Sequence, residues 1–499
     1  MTYFADKIIE NKILKRTGIV DIGSNTIRLV VFEGPSRSPR YFYNEKVNCG
    51  LGLGLRLKGY LSNKSQKRAY KAIQRFNAVI KTMEIFETFF VATSAVRDAT
   101  NGKEFIKKLE KNFNIKINII SGKEEGMLAA SGVLLSWPKA TGVVCDIGGS
   151  SLELAFVENG KIKITQSFEI GPLALQDYKK IGKSSFEIVK EKLSKIDQSF
   201  PNDVNSLFLV GGCWRAMAKI HMNLTNYPLK VLQGYEVSIN NFESTIENIC
   251  NLKISELLKY TTSSEERVRL LPYACKVLIA ILEKFRIKKL VFSGYGIREG
   301  IFFSRFSKEI RKLNPLLQAC SYLEQNRSRF PGFGKVLFEW LLPIFPGIDN
   351  NKRNLFLAAC YLHDTIWQAH PDYRSEVCFE TITGANLGGI DHKGRIFLAL
   401  SLMSRYKKTD INKLNKKYMS LLKPHNIKEA LVFGASMRLG AMLSVNIYEN
   451  LRKTKIYIKE NTLYLQLMEK DNLLGESVEK RFNHLGNLMN LKSKILELK

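Results

Sequence analysis

One short pattern occurs twice in this chain. Asp21-Ile22-Gly23-Ser24-Asn25-Thr26-Ile27-Arg28-Leu29-Val30 returns 125 positions later as Asp146-Ile147-Gly148-Gly149-Ser150-Ser151-Leu152-Glu153-Leu154-Ala155. Each copy follows an apolar, β-rich run, Gly18-Ile19-Val20 or Gly142-Val143-Val144-Cys145, and precedes alternating apolar residues. Both therefore predict strand, acid, tight Gly/Ser/Asn turn, strand. A phosphate cannot rest against bare carboxylates. It needs backbone N–H groups and hydroxyls, with a divalent cation between it and the acids. Two such turns facing each other would hold one phosphate chain between two lobes. Unrelated hairpins would also place Gly, Ser and Asn in turns, but would not bring Asp, Gly and hydroxyls into the same register.

Two more segments carry suitable chemistry. The strand Ile115–Ile120 runs into Ser121-Gly122-Lys123-Glu124-Glu125, where a helix opens. Ser121 and Glu124 have the spacing of a capping box, which makes Glu124 structural. Glu125 is free of that duty. It either complements the helix dipole as an ordinary first-turn acid or orients and deprotonates a water. The strand Phe89–Ala92 ends in Thr93-Ser94-Ala95-Val96-Arg97. A guanidinium there suits bidentate phosphate contact, or else an ion pair with a neighbouring acid. His363-Asp364 in Leu355–Gln368 is a tempting metal pair. The only earlier candidate partner is His221, in a different lobe, so His363, His370 and His392 are all expected to be structural. The run Gly50-Leu51-Gly52-Leu53-Gly54 opens no helix and makes a poor dinucleotide fingerprint.

The elements that must position these residues follow from periodicity. Strands are expected over Ile19–Phe32 (a pair), Tyr41–Val47 and Phe89–Ala92. A helix is expected with Ala69, Ile73, Phe76, Ile80 and Met83 on one face. Asn101 with Glu104 predicts a capped helix through Leu109. The order then repeats: a hairpin over Val143–Val157, a turn at Glu158-Asn159-Gly160-Lys161, and a strand over Ile162–Phe168. Phe208-Leu209-Val210 and Leu290–Phe292 each feed a Gly turn and a helix, a pattern of α/β lobes. From about Asn314 the texture becomes helical. Near Lys455, Ile456–Ile458 and Leu463–Leu467 alternate around Glu460-Asn461, predicting a small hairpin.

At 499 residues the chain should hold several domains. No apolar run is long enough to span a bilayer, and the best candidate, Leu270 to Leu282, is short and carries Lys276. Met1 to Arg16 shows no secretory signal. Eight cysteines without a CxxC pair suggest reduced, mostly buried thiols in a cytoplasm. The net charge of +29 fits either attraction of a polyanion or lysines solvated on helix faces, such as Lys407-Lys408, Lys413 and Lys416-Lys417. No nucleic-acid motif accompanies it, so neither a specific nucleic acid nor a membrane is expected as partner.

These motifs, with Val210-Gly211-Gly212 and Ser293-Gly294-Tyr295-Gly296-Ile297-Arg298-Glu299-Gly300, resemble the exopolyphosphatase/guanosine pentaphosphate phosphatase (Ppx/GppA) family of the actin-like ATPase superfamily. The resemblance covers about Gly18 to Phe302 and is weaker beyond. It implies an α/β protein with two ribonuclease H-like lobes around a cleft, residues 1–135 and 136–312. An all-α HD-like domain, 313–445, and a small C-terminal α+β cap, 446–499, would follow. It implies catalytic roles for Glu125 and Glu153. Gly23, Ser24, Asn25 and Thr26 would form one phosphate loop, Gly148, Gly149, Ser150 and Ser151 the other, with Arg97 on phosphate. Asp146 and Glu153 would hold Mg²⁺, or another divalent cation such as Mn²⁺. Departures are modest: Ser150 replaces a Gly, Leu152 a Thr, and Cys213 and Trp214 a Thr and an aliphatic residue. The implied activity is metal-dependent release of orthophosphate from linear polyphosphate by a homodimer. Alternatives are guanosine pentaphosphate 5′-phosphohydrolase, a kinase, or a non-catalytic polyphosphate-binding protein. Glu125 at a water-activating position argues against a kinase.

Overall fold

The computed structural model describes residues 13–35, 37–407, 416–467 and 473–497. The opening segment, residues 1–12, and two of the lysines noted above, Lys408 and Lys413, lie outside the described residues. The chain divides into two compact units, Met1–Asn314 and Pro315–Lys499.

The first unit contains two sheets built on one plan. The first comprises β1 (Ile13–Ile22), β2 (Thr26–Pro35), β3 (Arg40–Asn48), β4 (Glu87–Ala92) and β5 (Ile117–Ile119), in the order β3-β2-β1-β4-β5. β1, β2 and β3 form an antiparallel meander, and β4 and β5 continue parallel to β1. The second sheet uses β6 (Gly142–Ile147), β7 (Leu152–Glu158), β8 (Lys161–Phe168), β9 (Ser206–Val210), β10 (Tyr235–Ser238) and β11 (Lys289–Phe292), ordered β10-β11-β9-β6-β7-β8. The meander β6-β7-β8 repeats β1-β2-β3, and β9 and β11 take the places of β4 and β5. Both sheets are ribonuclease H-like. Antiparallel β10 is an edge addition to the second. The strands that precede the acids are apolar because helices cover both faces of the sheet centre: Ile19, Val20, Val143 and Cys145 are fully buried.

The expected amphipathic helix forms as α1 (Asn63–Thr82). Ala69, Ile73 and Phe76 are buried against the first sheet, with Ile80 and Met83 half-buried at its margin. The capping box at Asn101 does not form. The Asn101 side chain instead exchanges two hydrogen bonds with the Leu61 backbone, 2.8 and 3.1 Å, so a distant loop has taken the group that would have capped the local helix.

A third apolar cluster joins the lobes. It draws Ile19, Val30 and Val91 from one sheet and Val144, Val210 and Val291 from the other. Two helices complete it, α2 (Gly122–Ser136) and α3 (Ile297–Ser304). They approach backbone to backbone: a Cβ on Gly300 would fall 1.8 Å from the Leu128 carbonyl oxygen, and one on Gly132 would fall 2.3 Å from that of Gly296. Glycine is the side chain that fits such a crossing.

The second unit is mostly helical. Phe356 stacks on Phe433 at 3.9 Å in its core. The expected hairpin forms as β12 (Thr454–Lys459) and β13 (Thr462–Leu467). A third strand, β14 (Lys492–Glu497), adds parallel to β13 after the helix Glu476–Met489. Among the described residues no helix is long and apolar enough to cross a membrane.

Candidate active site

The repeated sequence becomes a repeated turn. Gly23 N donates to Thr26 O at 3.1 Å, and Gly148 N donates to Ser151 O at 3.0 Å. The two turns face one another. A Cβ on Gly149 would lie 2.9 Å from the Cβ of Ser24, so a side chain at Gly149 would push them apart. Ser24 Oγ bonds Ser94 Oγ at 3.0 Å, tying the first turn to the end of β4. Ser150 does not take a positive φ, so serine is tolerated where a glycine was expected.

Between the turns opens a cleft of about 390 Å³. Gly23, Ser24, Asn25, Thr26, Glu125, Asp146, Gly148 and Gly149 line it, as does Asp21. Arg97, Ser150, Ser151 and Glu153 stand behind this lining. Thus most of the expected phosphate-loop residues reach the cleft, while two expected hydroxyls, the arginine and the second acid support it. Among the described residues no aromatic ring lines it.

The capping box at Ser121 forms as expected. Ser121 Oγ accepts from Glu124 N at 3.2 Å, and Glu124 Oε2 accepts from Ser121 N at 2.8 Å. This leaves Glu125 free at the next position. It is only 3 % exposed, and its Oε2 accepts from Arg97 Nη1 at 3.1 Å. Arg97 also donates to Ile120 O at 2.9 Å. Arg97 thus makes an ion pair with Glu125. Burial pushes the Glu125 carboxyl up to about 8 against the pull of Arg97, and Asp146 and Asp21 add to the rise.

Asp146 and Glu153 are cross-strand partners on β6 and β7. Burial pushes Asp146 up to about 6, with Arg215 opposing. Burial, then the charges of Glu125 and Asp146, drives Glu153 upward as well. Glu153 Oε1 accepts from Ser167 Oγ at 2.9 Å. Glu153 Oε2 and Ser151 Oγ are buried without a hydrogen bond of ordinary geometry. Among the described residues no group of three or more His, Cys, Asp and Glu could hold a metal ion. A cation at this place would have one or two carboxylates and would complete its shell with water and phosphate oxygens, which is how Mg²⁺ is commonly held. Hard oxygen donors with one orphaned carboxylate oxygen fit that description.

In the first lobe the position equivalent to Glu153 is Arg28, which pairs across the strands with Asp21 as Glu153 does with Asp146. Arg28 lines the cleft, as do Arg215 and Arg298. Arg298 Nη1 lies 3.7 Å from Asp21 Oδ2. Burial and the charges of Arg298 and Arg215 pull Arg28 down to about 10. Sequence reasoning missed these three cations. Arg28 was visible at the eighth place of the repeat, and Arg215 and Arg298 each stand close behind a Gly turn.

His363 lies elsewhere, in the second unit, fully buried. Its Nδ1 is 2.7 Å from Cys360 O and its Nε2 is 3.1 Å from Asn446 Oδ1. Asp364 accepts from Arg329 N and Nε, at 3.1 and 3.0 Å. Both side chains are thus engaged in packing. All eight cysteines are free, seven of them buried and Cys250 exposed.

Comparison with known proteins bears on this site. Residues 30–309 match the Ppx/GppA phosphatase family, and residues 316–496 match the family described as exopolyphosphatase, C-terminal. Retrograde regulation protein 2 of Saccharomyces cerevisiae is 24 % identical over 454 residues, which span 81 % of this chain and 75 % of that protein. A crystal structure of an exopolyphosphatase from Cytophaga hutchinsonii superposes with a TM-score of 0.53 at 23 % identity, over 58 % of this chain and 97 % of the other. An exopolyphosphatase-like protein gives 0.52 at 22 %, over 58 % and 97 %. At this identity the two structures speak for the fold.

Proposed function

Because the chain belongs to the Ppx/GppA phosphatase family, we propose that it is an exopolyphosphatase, releasing orthophosphate from the end of linear polyphosphate. The observation that carries this reading is the pair of facing Gly turns with the buried Glu125 carboxylate on the cleft between them. Gly23 to Thr26 and Gly148 to Gly149 present a polar lining to a phosphate chain. Glu125, oriented by Arg97, accepts a proton from the attacking water. It must be ionised to do so, and its raised affinity for protons makes it a strong base once it is. Asp146 and Glu153 would hold a divalent cation, Mg²⁺ or Mn²⁺, which neutralises phosphate oxygens near the scissile bond. Phosphoryl transfer has a loose transition state, so positioning and charge neutralisation supply most of the acceleration. Ser167 fixes the Glu153 carboxylate. Arg28 and Arg298 offset charge on the first-lobe side.

The reading brings with it a cytoplasmic setting, which eight free thiols support, and a homodimer, which light scattering on the purified protein tests. The decisive experiment measures phosphate release from long polyphosphate, guanosine pentaphosphate and ATP, with Mg²⁺, with Mn²⁺ and in EDTA. Fastest release from polyphosphate, abolished by EDTA and by Asp146→Asn, is expected. No release from polyphosphate with either cation would refute the proposal.

A further inference from the structure

The cleft continues past the acids to an end that the catalytic reading does not use. Lys46, on β3 of the first lobe, faces Arg215 and Lys219 on the helix Gly212–Leu224 and Arg267 on the short helix Glu265–Val268, all of the second lobe. Among the described residues none of these four has a carboxylate within 4.0 Å. Lys219 Nζ donates to Thr262 Oγ1 at 2.8 Å, and Arg215 Nη1 donates to Gly294 O at 3.2 Å. The cations sense one another. After burial, Arg267, Arg28 and Arg215 weaken Lys46's hold on its proton, with Glu266 opposing. Arg215 does the same to Lys219. Holding like charges together without acids between them costs energy, and a polyanion between them recovers it. Among the described residues the lining offers no aromatic ring, and so no stacking partner for a nucleobase.

We propose that Lys46, Arg215, Lys219 and Arg267 form a second phosphate subsite, shared by the two lobes. It takes the phosphoryl groups that follow the scissile one, and so favours long inorganic chains over nucleotides. This rests on the hydrolytic reading of the cleft. Chains of three phosphates are taken by the Gly turns alone, while longer chains engage both places.

The test compares wild type with Lys46→Gln/Lys219→Gln, and with Lys67→Gln/Lys71→Gln, which removes the same charge from the exposed side of α1. The Michaelis constants for long polyphosphate and tripolyphosphate are measured at one fixed ionic strength. Two charge-assisted contacts predict a rise of about tenfold for the long chain in the cleft variant and less than about twofold for tripolyphosphate. The α1 variant should match wild type on both. Equal rises for both substrates, an unchanged long-chain constant, or an α1 variant that behaves like the cleft variant would each overturn the subsite. Should wild type release no phosphate from either substrate, the hydrolytic reading falls by itself. Equilibrium binding of long polyphosphate in EDTA then decides the subsite: about tenfold weaker binding in the cleft variant alone supports it, and equal binding overturns it.

Discussion

Replacing Glu125 by Gln should stop turnover and yet make the first unit more stable, by an amount that grows with pH. In the folded protein this carboxyl is raised from 4.5 to about 8, first by burial. An acid raised in this way binds its proton more tightly folded than unfolded. Its contribution to stability is therefore complete below about 4.5 and is lost as pH climbs to about 8. The interval is about 3.5 pH units, and each unit is worth about 1.4 kcal/mol, so ionised Glu125 costs the fold up to about 5 kcal/mol. Gln does not titrate and escapes that cost. It keeps an oxygen for Arg97, as the protonated carboxyl does, and the pull of Arg97 on the ionised form is already contained in the value of about 8. The net gain should approach about 5 kcal/mol near pH 9 and stay under about 1 kcal/mol near pH 5. Calorimetry in EDTA at both values should show the gap in melting temperature widening by at least about 4 °C. Phosphate release by the variant should fall about 10²–10⁴-fold, as for other lost general bases, with polyphosphate binding retained. A gap that is the same at both pH values would refute the burial argument. Wild-type turnover by the variant would refute the assignment of the base.

The helix crossing gives a second prediction. Gly300→Ala places a methyl on the Leu128 carbonyl and should lower the first unit's melting transition, by about 1–3 kcal/mol or more; an unchanged transition would mean that α2 and α3 can part freely. Arg329→Ala removes the guanidinium from the buried Asp364, leaving it the backbone N–H of residue 329, and should destabilise the second unit by about 3 kcal/mol, as read by calorimetry, whereas a loss under about 0.5 kcal/mol would place that carboxylate in water. His363→Ala should leave the content of bound metal unchanged, and elemental analysis showing one transition metal lost per chain would overturn its structural role.

The parts of this site that could be read from sequence are those written locally. The capping box at Ser121 occupies four consecutive residues and formed as expected, and it is what singled out Glu125. The facing turns were legible because register survives in sequence: acid, Gly and hydroxyl recur at fixed offsets. What escaped was set by partners far along the chain. Asn101 was drawn away by the Leu61 backbone. Arg97 was committed to Glu125, 28 positions later. Lys46 and Arg267 met only because β3 and a short helix of the other lobe border the same cleft. The most informative missed signal lay inside the repeat itself. Its eighth residue is Arg28 in one copy and Glu153 in the other, each across the strands from the repeated Asp. Two identical turns with two acids each would crowd four carboxylates around one phosphate chain. With arginine in one copy, the first lobe offsets its own Asp21. The second lobe keeps both acids and is left with the orphaned oxygen of Glu153, the kind of group a divalent cation satisfies. The duplicated fold thus supplies two turns of the same shape, and one difference between the copies leaves the first acid offset and the second doubled.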